Sequence, residues 1–194
     1  MARNRNRVCP VELANMLEGR FRRWLQDPRR ILAPYVTEGM TILDVGCGPG
    51  FFSLALAELV GGTGRVIAAD LQDGMLQRLR ARVRGTELEA RIRLVQCGSD
   101  RLSVPEPVDF ALAFWMVHEV PDKAAFFAEL RSALKDRARV LLVEPKLFHV
   151  SRAEFAATTA LAERAGFTVG EGPRLRLSWS ALLDRFSDAA PRPR

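Results

Sequence analysis

Eight side chains of types that bind charge or move protons follow the ends of apolar runs: Asp44, Asp70, Asp100, His118, Glu119, Glu144, Lys146 and His149. The chain has only two histidines, and both are in this group. A carboxylate beside a glycine turn can hold hydroxyl groups, and an imidazole beside a glutamate can accept and pass on a proton. If the apolar runs are parallel strands, all of these groups lie beyond the carboxyl edge of one sheet, where open α/β sheets bind ligands. A lone histidine is more often a structural hydrogen-bonding residue than a catalyst. Two out of two on one edge favour a catalytic role for at least one of them.

The stretch that must position these groups is Thr41-Ile-Leu-Asp-Val-Gly-Cys-Gly-Pro-Gly50. Thr41 to Val45 is bulky and apolar, as in a strand buried on both faces. Gly46, Gly48 and Gly50 alternate after it, and a helix is expected from about Phe51. Backbone without side chains lets a ligand come close to free N–H groups at a helix start. The dinucleotide fingerprint G-x-G-x-x-G needs glycine at position 51, which is Phe. No Lys-Ser/Thr follows the turn, so a phosphate-binding P-loop is excluded as well. Arg65 to Asp70 reads as the next strand and ends in an acid 20 residues after Gly50. A carboxylate there can accept both hydrogen bonds of a ribose diol.

Asp44-x-Gly46-x-Gly48-x-Gly50 resembles motif I of the class I S-adenosylmethionine-dependent methyltransferases. The stretch Asp109 to Leu134 resembles the small-molecule members, with an apolar strand, a His-x-Val-Pro-Asp-like turn and a Phe-rich helix ending in Leu-Lys. The likeness spans residues 8–186. It implies an α/β fold, a Rossmann-like doubly wound, seven-stranded, mostly parallel sheet with a terminal antiparallel strand. It implies S-adenosylmethionine as cofactor: Gly46, Gly48 and Gly50 on the methionine end with Asp44 nearby, Asp70 on the ribose with Leu71 beside it, and Asp100 with Ser99 on the adenine. Trp115 and His118 would flank the methyl group and the acceptor. A base, His118 or Glu119, is needed only if the acceptor arrives protonated. The family pattern continues Leu-Lys-Pro-Gly-Gly where this chain has Leu134-Lys-Asp-Arg-Ala138, a departure that bears on a turn rather than on the chemistry.

A chain of 194 residues suffices for one α/β domain. No apolar run is long enough to span a membrane, no signal peptide is visible, and three cysteines without repeating spacing make no disulfide framework. A cytoplasmic protein, monomer or homodimer, is the simplest expectation. Net charge is +6 and the pI is near 10. The charge is mostly arginine, with only Lys123, Lys135 and Lys146 as lysines. Nucleic acid is thus a less favoured partner than a small-molecule acceptor.

Residues 1–8 read as a disordered basic tail and 187–194 as a flexible one, with a single domain over 9–186. A helix from Cys9-Pro10 with an apolar stripe through Trp24 and Leu25, and a short one from Asp27-Pro28 to Tyr35, are expected to cover the cofactor and shape the acceptor pocket. Cys9, Trp24, Lys146 and His149 are the candidate acceptor-binding residues. Cys9 is weighed as a ligand for a soft acceptor against a packed, inert thiol. No metal site is expected.

Further helices are expected to about Arg84, from Asp122, and over 151–165 with a Ser151-x-x-Glu154 capping box. Strands are expected over 91–96, 108–114 and 139–143. A hairpin around Gly170-Glu-Gly-Pro173 and a short helix over 180–186 complete the order. Alternative readings are an RNA or protein methyltransferase, and a cofactor-binding regulatory protein without catalysis.

Overall fold

The computed structural model describes residues 26–98, 101–146 and 150–186. Seven strands form one sheet: β1 (Thr41–Val45), β2 (Arg65–Asp70), β3 (Ile92–Gln96), β4 (Val108–Phe114), β5 (Leu134–Pro145), β6 (Thr168–Glu171) and β7 (Ser178–Asp184). Their order is β3-β2-β1-β4-β5-β7-β6. The pairs among β1 to β5 are parallel, and β7 runs antiparallel to both β5 and β6. The sheet is thus the expected doubly wound one. The strand order reverses between β1 and β4, since β2 and β3 are added on one side and β4 and β5 on the other, and such sheets open a crevice at their carboxyl edge there.

The helices divide between the two faces. α1 (Pro28–Leu32), α2 (Ser53–Leu59) and α3 (Asp73–Val83) cover one, and α4 (Lys123–Ala133) and α5 (Arg152–Arg164) cover the other. Alternate strand residues serve each layer. Ile42, Val66, Ala68, Phe110 and Leu112 pack under the first three helices. Leu43, Ile67, Ala69, Ala111 and Val140 pack with Phe126, Phe127, Leu130 and Ala162 under the other two. Burial of each large aliphatic or aromatic side chain stabilises the fold by about 1.5–3 kcal/mol, and these central strands are buried on both faces.

Helix starts follow the sequence signals. Asp27 caps α1 by accepting from the Arg29 and Arg30 amides, with Pro28 at the first position. Asp122 caps α4 through the Ala125 amide. Ser151 and Glu154 form the capping box of α5, and Gly166, with φ +92, follows its C-cap Ala165.

Four expectations need correction. The short helix over 180–186 is absent: Ser178–Asp184 is β7, inserted between β5 and β6 with a hydrogen-bonded partner on each side. Two ladders outweigh the helical look of Ser180-Ala-Leu-Leu-Asp-Arg. α1 stops at Leu32 rather than Tyr35. α2 begins at Ser53, two residues after Phe51. β5 begins at Leu134, not Arg139: Val108 pairs with Leu134 and Phe110 with Arg139, so the intervening residues bulge out. That bulge replaces the glycine turn of the family pattern. Arg137 takes φ +62 there, and its amide donates to the Arg185 carbonyl at 2.8 Å while the Arg185 amide donates to Ala138 at 2.9 Å. The first helix of the chain, expected from Cys9-Pro10 through Leu25, and both tails lie outside the described residues.

Candidate active site

The glycine turn is built onto the end of β2. The amides of Gly46 and Cys47 both donate to the Ala69 carbonyl, at 2.8 and 3.0 Å. All three glycines have positive φ: +67, +54 and +93 for Gly46, Gly48 and Gly50. Their surroundings differ. A Cβ on Gly46 would meet Met116 at 2.9 Å, and one on Gly50 would meet Leu79 at 2.3 Å, so these two let the turn pack on the β4 exit and on α3. Among the described residues a Cβ on Gly48 would meet nothing within 4 Å. No described side chain crowds Gly48, so it presents bare backbone that a ligand can approach.

Asp44 is turned under the turn. It is 2% exposed, and its carboxylate accepts the Ser53 hydroxyl at 2.6 Å, joining the end of β1 to the start of α2. Asp70 uses one oxygen on the Gly48 amide and the other on the Gln72 amide, each at 2.8 Å. Burial pushes its carboxyl above the usual carboxylate range despite those donors. Beside it, Leu71 is the only large hydrophobic exposed among the described residues, at 40%. Cys47 and Cys97 flank this end of β2, their amides bonded to Ala69 and Asp70. Burial, reinforced by nearby carboxylates, raises both thiols, Cys97 to about 11.

Beyond β4 the chain enters the site through a strained residue. Trp115 has φ +59, held by its amide on the Val143 carbonyl at 2.7 Å and its indole N–H on Ser178 Oγ at 2.9 Å. Met116 then packs on Gly46, and a single 3-10 turn carries Val117 to Glu119. Glu144, from the end of β5, gathers this turn. Its carboxylate is 1% exposed and accepts from the Val117 amide at 2.9 Å, the His118 amide at 3.2 Å and His118 Nδ1 at 2.7 Å. His118 Nε2 stands 3.8 Å from Glu119, whose side chain is 24% exposed.

Lys146 is carried to β7: its amide donates to Leu177, and its ammonium lies 4.6 Å over the Trp179 ring and 3.4 Å from the Leu175 carbonyl. Cys9, Trp24, Ser99, Asp100 and His149 lie outside the described residues. Among the described residues no group of three or more His, Cys, Asp or Glu side chains is placed to hold a metal ion. No helix among them is long and apolar enough to cross a membrane.

In the sequence Glu144 is one of the chemically capable residues but has no assigned role, and no motif marks Ser53 or Ser178. A carboxylate at the end of the apolar run Val140–Pro145 was the available signal: an acid in a strand buried on both faces needs donors.

The turn, the acid of β2 and the turn after β4 stand at the crevice where β1 and β4 part. The family described as a methyltransferase domain matches residues 42–137, which hold β1 through α4 and all three of these features. The chain belongs to the class I S-adenosylmethionine-dependent methyltransferases. Among its relatives in sequence is a ubiquinone/menaquinone biosynthesis C-methyltransferase UbiE of an Enterobacter species, 30% identical over 110 residues, or 56% of this chain and 44% of that one. Its counterpart in Citrobacter koseri is 29% identical over 138 residues, 69% of this chain and 55% of that one. The chain spans about half the length of these curated relatives. In fold, it is similar to a SAM-dependent methyltransferase from Aquifex aeolicus, with a TM-score of 0.81 and 24% identity over 91% of this chain and 99% of that one.

The residues present fit the methyltransferase cofactor. Gly48 offers open backbone, Leu71 an exposed apolar surface, and Asp70 a carboxylate that still has acceptor capacity after its two amide bonds.

Proposed function

We propose that this methyltransferase passes the methyl group of S-adenosylmethionine to a small organic acceptor that loses a proton in the process. When bound, S-adenosylmethionine supplies an electrophilic methyl on a sulfonium, whose leaving group is neutral and needs no acid. The chain's own work is then to bind, align, exclude water and take up one proton.

In this reading Gly46, Gly48 and Gly50 hold the methionine end, with Asp44 acting through its brace on α2. Asp70 holds the ribose diol, Leu71 lies against the adenine, and Asp100 and Ser99 remain the candidates for the adenine contact. Trp115 walls the reacting centre. His118 is the base, and Glu119, on the Nε2 side of the ring, borders the acceptor. Cys9, Trp24, Lys146 and His149 remain candidates for acceptor contacts, with Lys146 on the β7 side. The relatives' name, a C-methyltransferase of quinone biosynthesis, also supports a small organic acceptor.

The observation that carries the reading is the placement of an imidazole with a carboxylate behind it on the turn that packs against Gly46. Such a pair is suited to proton removal from an acceptor bound beside it.

The test uses S-adenosylmethionine labelled in its methyl group, incubated with the protein and a cell extract split into small-molecule, RNA and protein fractions. The expected result is label among small molecules. Label in RNA or protein instead overturns the acceptor class. Binding of the cofactor without label in any fraction counts for a non-catalytic protein.

A further inference from the structure

We infer that Glu144 is a positioning residue for the proton transfer: it fixes His118 as the tautomer with its proton on Nδ1, leaving Nε2 as the atom that receives the acceptor's proton. The inference rests on the reading of His118 as the base.

The geometry is specific. Glu144 and His118 are 26 residues apart and come from different strand ends, yet their atoms meet at 2.7 Å. A carboxylate only accepts, so the shared proton belongs to Nδ1. The same two oxygens also take the amides of Val117 and His118, so the carboxylate holds the backbone of the turn together with the ring mounted on it. At 1% exposure it has little water to replace those donors. Three donors on one buried acid leave the ring a single orientation, Nδ1 inward and Nε2 outward.

Proton transfer then runs in one direction. The acceptor's proton passes to Nε2, the Nδ1 proton stays where it is, and Glu144 keeps its three hydrogen bonds throughout. An acceptor that arrives without a proton, such as a thiolate, would gain nothing from this arrangement. The acceptor class therefore narrows to hydroxyl, amine or acidic carbon compounds, whose proton must leave.

Glu144→Gln is the informative change. A glutamine keeps the size but turns an NH₂ toward one or more of the three donors. Beside the ring, that NH₂ donates to Nδ1 and shifts the proton to Nε2, which can then accept nothing. The measurement is long-range ¹⁵N–¹H NMR of the two histidine rings, with His149→Asn used to assign His118. Wild type should show the proton on Nδ1 and Glu144→Gln the proton on Nε2. Glu144→Asp should return it to Nδ1, and it stands in if the glutamine variant does not fold. Turnover is followed with methyl-labelled S-adenosylmethionine and the extract fraction that takes up label. Glu144→Gln and His118→Ala should each lose about 100-fold or more, and the double variant no more than either, with cofactor affinity held.

A proton on Nε2 in wild type, or turnover lost in Glu144→Gln with the proton still on Nδ1, overturns the positioning role. The expected tautomers with His118→Ala at wild-type turnover overturn the base reading itself, and Glu144 is then a structural acid.

Discussion

The carboxylate of Asp70 is bonded to the amide of Gly48, 22 residues earlier in the chain, at 2.8 Å. The residue read from the sequence as the ribose partner is thus also the residue that shapes the glycine turn. One acid serves the turn and, in the proposed reading, the cofactor.

Asp70→Asn separates these roles only in part, because its amide presents a donor to one of two N–H groups. S-adenosylmethionine affinity should fall by about 2–3 kcal/mol, the worth of one or two charge-assisted bonds. Calorimetric titration measures this directly, and an unchanged affinity would remove Asp70 from the cofactor site.

The same pair of proteins carries a pH signature. Burial raises the Asp70 carboxyl in the folded protein, so the folded chain holds that proton more tightly than the unfolded chain does. The stability it contributes is fully present below the unfolded value, about 3.9, and is lost as pH rises through the folded value. The Tm of wild type minus that of Asp70→Asn should shrink from about pH 4 to pH 7. A gap that widens over that range would contradict the raised carboxyl.

Two glycines in the turn should respond differently to alanine. Gly46→Ala drives a Cβ into Met116 at 2.9 Å and should cost about 1–3 kcal/mol of stability. Gly48→Ala meets no atom of the described residues within 4 Å, so its φ of +54 sets the penalty, about 1 kcal/mol. It should weaken cofactor binding out of proportion to that loss. Urea unfolding and calorimetry on both variants check the contrast, and equal effects on binding would refute the open approach at Gly48.

Cys97 should stay a thiol at ordinary pH. In a Cys9→Ser background its alkylation by iodoacetamide should keep accelerating toward about pH 11, where burial and Asp70 place it. A plateau near pH 9 would mean an ordinary, solvated thiol. Cys47, buried more deeply, should remain unmodified until the protein unfolds.

Ser53→Ala removes the hydroxyl that Asp44 accepts at 2.6 Å. Leaving that buried carboxylate short of a donor should cost about 1–3 kcal/mol in urea unfolding. A loss below about 0.5 kcal/mol would show that the brace between β1 and α2 is not needed.

The central strands and their acids were legible because a parallel strand buried on both faces must be an unbroken apolar run, and Thr41–Val45, Arg65–Asp70 and Val108–Phe114 are such runs. The caps at Asp27, Asp122 and Ser151 were legible because they are local. β7 was not, because Ser178–Asp184 carries no strong local preference and is made a strand by β5 and β6. The start of β5 was hidden for a related reason, since Arg137 takes a conformation usually left to glycine and is held there by Arg185. The link between His118 and Glu144 depends on sheet register and helical turn together, and no spacing in the sequence encodes it.

Among the described residues β6 has one hydrogen-bonded neighbour in the sheet, β7, and it comes before that neighbour in the chain. The later strand lies inside the sheet and the earlier one at its edge. The tie between β6 and the parallel strands therefore runs through β7, whose other side pairs with β5. At this end of the molecule a change that loosens β7 from β5 loosens two strands at once.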